Sequence, residues 1–98
     1  MCLIEFEWDA DKESENIRTH GFTFAEAVEA FLDPHGFALR DEKHSNTESR
    51  HYWVGKLPSG VVITVRYTRR AGKIRIFGCA KWRNFRRLYD ERAKAGKY

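Results

Sequence analysis

Basic side chains near the end of this sequence are the ones best suited to chemistry on a phosphate group. Region 66–98 contains 12 Lys/Arg residues and 2 Asp/Glu residues, whereas residues 1–65 contain 6 Lys/Arg and 12 Asp/Glu. The basic region also contains large aromatic residues, namely Tyr67, Phe77, Trp82, Phe85 and Tyr89. Cations that neutralise phosphates, together with rings that stack on bases, indicate a nucleic-acid-binding surface. The simpler alternative is a solvated basic helix.

RNA cleavage is one reaction that such a surface can support. The 2′-hydroxyl of RNA can attack the adjacent phosphodiester if the charge on the phosphorane is stabilised and a proton is transferred. Arginine and lysine clusters supply that stabilisation by preorganised electrostatics, and an aromatic ring can hold a base. The group that transfers the proton stays open at this point, with His44, His51, Tyr67 or a lysine of lowered pKa as candidates.

Other kinds of chemistry have no support in the sequence. It contains no nucleophile–histidine pattern, phosphate-binding glycine loop or dinucleotide fingerprint. The four histidines lack the spacing of a zinc site, so we predict neither a metal nor a cofactor. Two cysteines without a secretory signal indicate reduced thiols, and no apolar run approaches the roughly 20 residues of a membrane span. We therefore predict a cytoplasmic single domain, residues 1–98, without a membrane partner.

Two helices are predicted after a first strand. Residues 3–8 alternate apolar and acidic side chains, the period of a half-buried strand. A helix over residues 9–20 begins with an aspartate as N-cap and ends before a glycine. A second helix over residues 23–32 begins with the capping-box pair Thr23 and Glu26. Its buried apolar face is predicted to consist of Ala27, Val28, Phe31 and Leu32.

Strands dominate the second half, before a last helix. The predicted strands are Arg50–Leu57, Val61–Arg69 and Lys73–Cys79, with a short strand at Phe37–Leu39 in the preceding loop and a helix over Trp82–Ala95. The order is strand, helix, helix, antiparallel three-stranded meander and C-terminal helix. It indicates an α+β fold with the helices on one face of a curved sheet.

Alternation along the last two strands predicts which side chains point away from the core. The predicted core-facing residues are Val61, Ile63, Val65, Tyr67, Ile74, Ile76 and Gly78. The predicted outward-facing residues are Val62, Thr64, Arg66, Thr68, Arg75, Phe77 and Cys79. Arg66 and Arg75 would then lie on neighbouring strands of an open face. The turn residues Arg69, Arg70 and Lys73 would add further cations. The alternative is that Arg66 or Arg75 instead pairs with Glu5, Glu7 or Glu48.

A series of short motifs runs through nearly the whole chain in a fixed order. They are Phe6–Lys12 (FEWDADK), Asn16, His20–Ala27 (HGFTFAEA), Phe31–Pro34 (FLDP), Asp41, His44, Ser45, Glu48, Arg50, Gly55 and Lys73–Gly78 (KIRIFG). In this order and spacing the chain resembles the BrnT family of toxins from type II toxin–antitoxin pairs. The resemblance implies a RelE-like fold and a ribonuclease that slows growth by cutting RNA. It also implies a cognate antitoxin with a ribbon-helix-helix part, through which the pair binds operator DNA.

The resemblance also implies site residues. Arg70 matches the arginine of the family's Thr-Glu-Arg pattern, which here is Thr68–Arg70 and lacks the glutamate. The arginine that often follows the last strand is replaced by Ala80, with Lys81 next to it, and a family variant with a Trp-Arg pair matches Trp82–Arg83.

We therefore predict a metal-independent endoribonuclease with Arg70, Arg66, Arg75, Lys81 and Arg83 as catalytic cations. The alternative is a catalytically impaired toxin-like protein that engages antitoxin and operator DNA without cutting RNA. For His20, a favourable charge at a helix C-terminus is a simpler interpretation than catalysis.

Overall fold

A five-stranded sheet organises the chain. The structure is a computed structural model that describes residues 4–44 and 48–95, so that Cys2, Leu3 and Ser45 lie outside the described residues. The elements are β1 (Glu5–Trp8), α1 (Ala10–His20), α2 (Phe24–Ala30), β2 (Phe37–Arg40), β3 (Arg50–Lys56), β4 (Val62–Arg70), β5 (Lys73–Ala80) and α3 (Arg83–Ala95). The strand order is β1-β5-β4-β3-β2, with β1 parallel to β5 and the other neighbours antiparallel. The predicted α+β class is confirmed, and the meander β3–β4–β5 is widened by one strand on each side.

Both N-terminal helices begin at the residues that their capping motifs predict. Only the C-terminal end of α2 differs from the prediction. The Asp9 side chain accepts hydrogen bonds from the backbone of the first turn of α1, and Gly21 ends that helix with φ 77°. The Thr23–Glu26 capping box opens α2. The prediction that this helix reaches Leu32 is wrong, because α2 ends at Ala30 and Leu32 is 75% exposed. The residues after α2 bond to the carbonyl three positions back, which tightens the last turn before the proline at position 34.

The helices cover both faces of the sheet, so the prediction that all of them share one face is wrong. One core packs α2 against β3–β5 and contains Phe24, Ala27, Ala30, Leu57, Ile63, Val65, Tyr67, Ile74, Ile76 and Cys79. The other core packs α3 against the opposite side of the sheet and contains Phe37, Val54, Val62 and Tyr89. Successive strand residues point to opposite faces, so the two valines of the smaller core give α3 an apolar patch there.

A β-bulge in β5 changes which side chains face the core. Arg66 pairs with Gly78 and Tyr67 pairs with Ile76, so Phe77 is an extra residue in β5. Beyond the bulge the alternation is inverted. Cys79 joins the core that α2 covers, and Gly78 lies on the other side. The prediction that Gly78 faces this core and Cys79 faces outward is therefore wrong.

The side chain of Asn16 closes the edge of β5 where β1 ends. Its Oδ1 accepts a hydrogen bond from the Cys79 backbone at 3.0 Å, and its Nδ2 donates to the Phe22 carbonyl at 3.0 Å. Asn16 is only 6% exposed, so alanine at this position would leave buried backbone groups without partners. We expect Asn16→Ala to lower the free energy of unfolding by about 1–3 kcal/mol, measured by chemical denaturation. Ser14→Ala, on the exposed side of the same helix, is the matched control and should change stability by less than about 0.5 kcal/mol.

Asp33 links α3 to the loop after α2. Its Oδ2 accepts hydrogen bonds from the Tyr89 hydroxyl and, at 2.7 Å, from the Lys56 backbone, and its Oδ1 accepts one from the His35 backbone at 2.9 Å. Burial raises the pKa of Asp33, but these hydrogen bonds lower it by more, and the net pKa lies below the ordinary value of 3.8. Burial and the Asp33 carboxylate raise the pKa of Tyr89 to about 12.

Neutralising this carboxylate should weaken the attachment of α3. An amide at position 33 cannot accept from all three donors, so Asp33→Asn should lower the free energy of unfolding by about 1–3 kcal/mol at neutral pH. Because the pKa is lowered in the folded protein, the contribution of Asp33 is complete above pH 3.8 and is lost as the pH falls from there through the lowered value. Thermal unfolding of both proteins between neutral and acidic pH checks this. A stability difference that does not shrink in acid would contradict it.

Candidate functional site

The area of the sheet that α3 leaves uncovered carries most of the predicted site. Cross-strand pairing places Arg66 of β4 beside Gly78 of β5, and Thr68 of β4 beside Arg75 of β5. Directly paired residues share a face, so these positions lie on one side of the sheet. The side chains that project from this area are Arg50, Arg66, Arg70, Arg75 and Phe77, which we call the basic face. The structure thus brings together three of the five predicted cations.

Arg66 has the position best suited to bind an external anion. It is the exposed residue in a run of buried ones, and it forms no ion pair within residues 4–44 and 48–95. Its guanidinium lies over Gly78, because a Cβ atom at that glycine would be 2.9 Å from Arg66 Nη2 and 3.5 Å from Nε. The absence of a side chain at position 78 therefore allows the guanidinium to extend across β5 towards α1.

A depression of about 250 Å³ lies between α1 and the basic face. Its lining residues are Lys12, Glu15, Asn16, Thr19, His20, Arg66 and Phe77. The Lys12 ammonium is 5.2 Å from the centre of the Phe77 ring, and the Arg50 guanidinium is 4.6 Å from it. The depression therefore combines two cations, an imidazole and an aromatic ring, which are the groups that phosphate neutralisation, proton transfer and base stacking require.

The sequence interpretation missed Lys12 as a member of this group and favoured a role at the helix C-terminus over catalysis for His20. The signal was present in their spacing, because residues 12, 16, 19 and 20 recur at helical intervals and share one side of α1. The sequence does not show which element of the fold packs against that side of α1. Asn16 fixes α1 to the edge of β5, and this contact turns Lys12 and His20 towards Arg66.

Arg70 and Arg75 lie on the basic face but each has a carboxylate partner. Arg70 binds Glu48 through two hydrogen bonds of 3.0 and 2.9 Å, and Arg75 Nη1 is 2.8 Å from Glu7 Oε2. The hydrogen bonds from Arg70 lower the pKa of Glu48, and the same bonds raise the pKa of Arg70. The alternative in which Arg66 or Arg75 pairs with an acidic residue therefore holds for Arg75, whereas Arg66 has no such partner among the described residues. The pair of Arg70 with Glu48 was not predicted.

The remaining cations of the predicted cluster lie elsewhere. Lys81 and Arg83 line a separate depression of about 410 Å³ at the start of α3, together with Val62, Trp82 and Arg86. Arg69 faces the other side of the sheet, because it alternates with Arg70, and it lines a small depression beside Ile4 and Ile74. The prediction that the turn residue Arg69 adds a cation to the open face is therefore wrong.

Two of the proposed proton-transfer groups lie on the wrong side of the sheet. Tyr67 is 5% exposed, and His51 stacks on it with ring centres 5.5 Å apart. Burial raises the pKa of Tyr67, which further disfavours its ionised form. Both residues belong to the side that α2 covers, whereas Arg66 projects from the opposite side.

His44 is held by a buried carboxylate. Its Nδ1 is 2.8 Å from Asp41 Oδ2, and Asp41 also accepts a hydrogen bond from Tyr52. Burial raises the pKa of Asp41, but the hydrogen bonds from His44 and Tyr52 lower it by more. Tyr52 pairs directly with Arg66 across β3 and β4, so this network lies on the other side of Arg66 from His20.

Thiol and metal chemistry find no site in the described part of the chain. Burial raises the pKa of Cys79 to about 12, so its thiol stays protonated at neutral pH. Within residues 4–44 and 48–95, no group of three or more His, Cys, Asp or Glu side chains could hold a metal ion. No helix in the same residues is long and apolar enough to cross a membrane.

Comparisons with known proteins agree with this architecture. The family model described as "Ribonuclease toxin, BrnT, of type II toxin-antitoxin system" matches residues 8–84. The crystal structure of the Brucella abortus ribonuclease toxin BrnT has a similar fold, with a TM-score of 0.62 and 21% sequence identity over 82% of this chain and 97% of that chain. No curated protein sequence matches significantly. Since the family model spans most of the sequence, this chain belongs to the BrnT family of ribonuclease toxins of type II toxin–antitoxin systems.

Proposed function

We propose that this protein is a metal-independent endoribonuclease that arrests growth by cutting RNA, and that the depression beside Arg66 is its active site. The observation that supports this most directly is the composition of that depression. Arg66, Lys12, His20 and Phe77 meet there, and Arg66 has no carboxylate partner among the described residues. A guanidinium without a carboxylate partner can stabilise charge that develops on a phosphorane without first losing another partner.

The proposed reaction needs only the RNA, this site and solvent water. The 2′-hydroxyl oxygen attacks the adjacent phosphorus, and its proton passes to His20 as general base. The bond between phosphorus and the 5′-oxygen breaks, the leaving oxygen receives a proton from water, and His20 returns its proton to the solvent. The products are a 2′,3′-cyclic phosphate and a 5′-hydroxyl end. Arg66 and Lys12 neutralise the phosphorane, while Phe77 supports a neighbouring base.

Arg70 and Arg75 have a different proposed role on the basic face. Both are engaged by carboxylates, so a phosphate must compete with Glu48 or Glu7 for them. Both pairs lie at the surface of the protein and are partly open to solvent, so a phosphate can compete with the carboxylate. We therefore propose that they position the RNA backbone next to the phosphate that Arg66 binds.

The cognate antitoxin is the second proposed partner. We propose that it is of the ribbon-helix-helix type, covers the basic face and links the complex to operator DNA. The support is the positive charge of the basic face, which suits an acidic partner as well as RNA. If both ligands use this surface, antitoxin should displace a labelled, uncleavable RNA competitively. Simultaneous tight binding of RNA and antitoxin would exclude a shared surface.

A binding protein without catalysis is the second candidate function. One observation favours it: the position of a frequent family arginine is Ala80, which is 2% exposed and opposite Thr64. Expression of the chain without antitoxin separates the two functions. The nuclease predicts growth arrest, RNA breakdown that persists with EDTA, and fragments ending in a 2′,3′-cyclic phosphate. The binding protein predicts none of these, although it still binds antitoxin.

A further inference from the structure

The start of α3 forms a second positively charged surface, separate from the depression beside Arg66. Its cations are Lys81, Arg83, Arg86 and Arg87, all of which are exposed. Arg86 makes a single 3.5 Å contact with Asp90, and the other three form no ion pair among the described residues. Arginines three and four positions apart on a helix repel one another, at a cost of a few tenths of a kcal/mol per pair. An anionic ligand on this surface would remove that repulsion.

An aromatic platform adjoins these cations. Trp82 is partly exposed and lines the depression of about 410 Å³ together with Lys81, Arg83 and Arg86. Its ring is fixed from two sides, with ring centres 6.1 Å from Tyr52 and 5.7 Å from Phe85. A rigid ring beside several cations is the combination with which proteins hold single-stranded nucleic acids, because bases stack on the ring while phosphates meet the cations.

The platform also connects this surface to the proposed active site. Tyr52 contacts Trp82 through its ring and is the direct cross-strand partner of Arg66. A chain that leaves the depression beside Arg66 across Tyr52 therefore meets Trp82 next and the α3 arginines after it. Lys81 and Arg83 share no depression with Arg66, so they are placed to bind flanking nucleotides rather than the phosphate that is cut.

We propose that Lys81, Trp82, Arg83, Arg86 and Arg87 bind the single-stranded RNA that flanks the cleaved bond. This inference rests on the proposed nuclease function and extends it from the reacting phosphate to the length of RNA that the protein recognises. It reassigns Lys81 and Arg83 from catalysis to substrate binding. Charge and stacking together favour RNA, since a base can stack on Trp82 while its phosphates meet the neighbouring cations.

The test uses the full chain carrying Arg83→Ala and Arg87→Ala together. The matched control is Arg18→Ala with Arg69→Ala, which removes the same charge from exposed positions on α1 and at the end of β4. Binding is measured by fluorescence anisotropy with 2′-O-methyl RNAs of about 12 and about 3 nucleotides. Single-turnover cleavage is measured with unmodified RNAs of the same two lengths.

We expect the α3 variant to bind the long RNA about tenfold or more weakly, with no change for the short RNA or its cleavage rate. The dependence of log K on log salt for the long RNA should become shallower by about 1.4, for two lost phosphate contacts. The control variant should match the unmodified protein. Equal losses with both RNAs would place these arginines in the active site and overturn the proposal. Unchanged binding of both RNAs would overturn it as well, and antitoxin binding by the same variant would then show whether the surface serves that protein.

The results of these experiments distinguish a failure of the proposed RNA-binding surface on α3 from a failure of the proposed RNA cleavage. If the protein cuts no RNA but binds the long RNA in a manner that depends on Arg83 and Arg87, the α3 surface stands and the nuclease proposal fails. If the protein cuts both RNAs and the variant binds them as before, the nuclease proposal stands and the α3 surface fails.

Discussion

Replacement of Arg66 with alanine is expected to slow RNA cleavage about a hundred- to thousandfold, which corresponds to about 2.7–4 kcal/mol of barrier. Arg66 lies in the depression with Lys12 and His20, and it forms no ion pair among the described residues. Its whole charge is therefore available to the phosphorane. The residue is exposed, so the melting temperature should change little. The measurement is the single-turnover rate with an RNA short enough to contact only this depression.

A second variant tests whether the position of the Arg66 guanidinium matters, separately from its charge. Gly78→Ala keeps Arg66 but places a methyl group 2.9 Å from its Nη2 atom, so the flexible guanidinium must move. We expect about a tenfold loss of rate, because the guanidinium then no longer lies where charge develops. The new methyl group is also 3.3 Å from Asn16 Oδ1, so thermal stability must be measured beside the rate. A variant that keeps its stability and its full rate would show that the position over Gly78 does not matter.

Arg70 provides the comparison that the sequence itself suggests. The family pattern gives Arg70 the leading role, whereas the structure places it in a two-bond ion pair with Glu48. We expect Arg70→Ala to cost about tenfold, less than Arg66→Ala, since Glu48 already neutralises much of its charge. If Arg70→Ala equals or exceeds the effect of Arg66→Ala, Glu48 releases Arg70 to the substrate and the sequence ranking is correct.

Some of the acidic residues in the first part of the chain form pairs of this kind. Glu5, Glu7 and Glu48 contact Lys73, Arg75 and Arg70 in that order. The sequence left open whether Glu5, Glu7 and Glu48 pair with the chain's own cations, and within the described residues these three do. These carboxylates neutralise cations at the edge of the basic face, whereas Arg66 stays available to an external anion.

Local sequence signals predict most of the helices and strands correctly. Most differences between the prediction and the structure arise from contacts between elements. Asp9, the Thr23–Glu26 capping box and the glycine at position 21 specify the helix ends through neighbouring backbone groups, so sequence alone suffices. The bulge at Phe77 has no such signal, because it depends on the register between β4 and β5. The side on which α3 packs depends on Val54 and Val62, which the helix meets only after the sheet has formed.

The candidate site likewise has one part that the sequence predicts and another part that depends on contacts between elements. Strand alternation was enough to place Arg66 and Arg75 on one face, because the period of 2 holds up to the bulge. The depression was not predictable, since its other half comes from α1 through a hydrogen bond between residues 63 positions apart. His20 therefore looked like an ordinary residue at a helix end until Asn16 fixed the helix against β5.

Replacement of His20 is the second change with a large expected effect. His20→Ala should slow cleavage about a hundred- to ten-thousandfold, because a positioned acid–base group contributes about that much. The side chain is exposed in the last turn of α1, so stability should fall by no more than about 1 kcal/mol. The pH–rate profile should lose its acidic limb in this variant. A merely structural role for His20 would lower the rate without changing the shape of the profile.

His44→Ala is the matched comparison, since Asp41 holds that imidazole on the opposite side of Arg66. If His20 is the general base, His44→Ala should keep the acidic limb and most of the rate, because His44 lines no part of the depression. The reverse result, in which His44→Ala removes the limb and His20→Ala keeps it, would move proton transfer to the Asp41–His44–Tyr52 network. Arg66 lines the depression with His20 and pairs across the strands with Tyr52 of that network, so the proposed role of Arg66 in neutralising the phosphorane is compatible with either imidazole as the base.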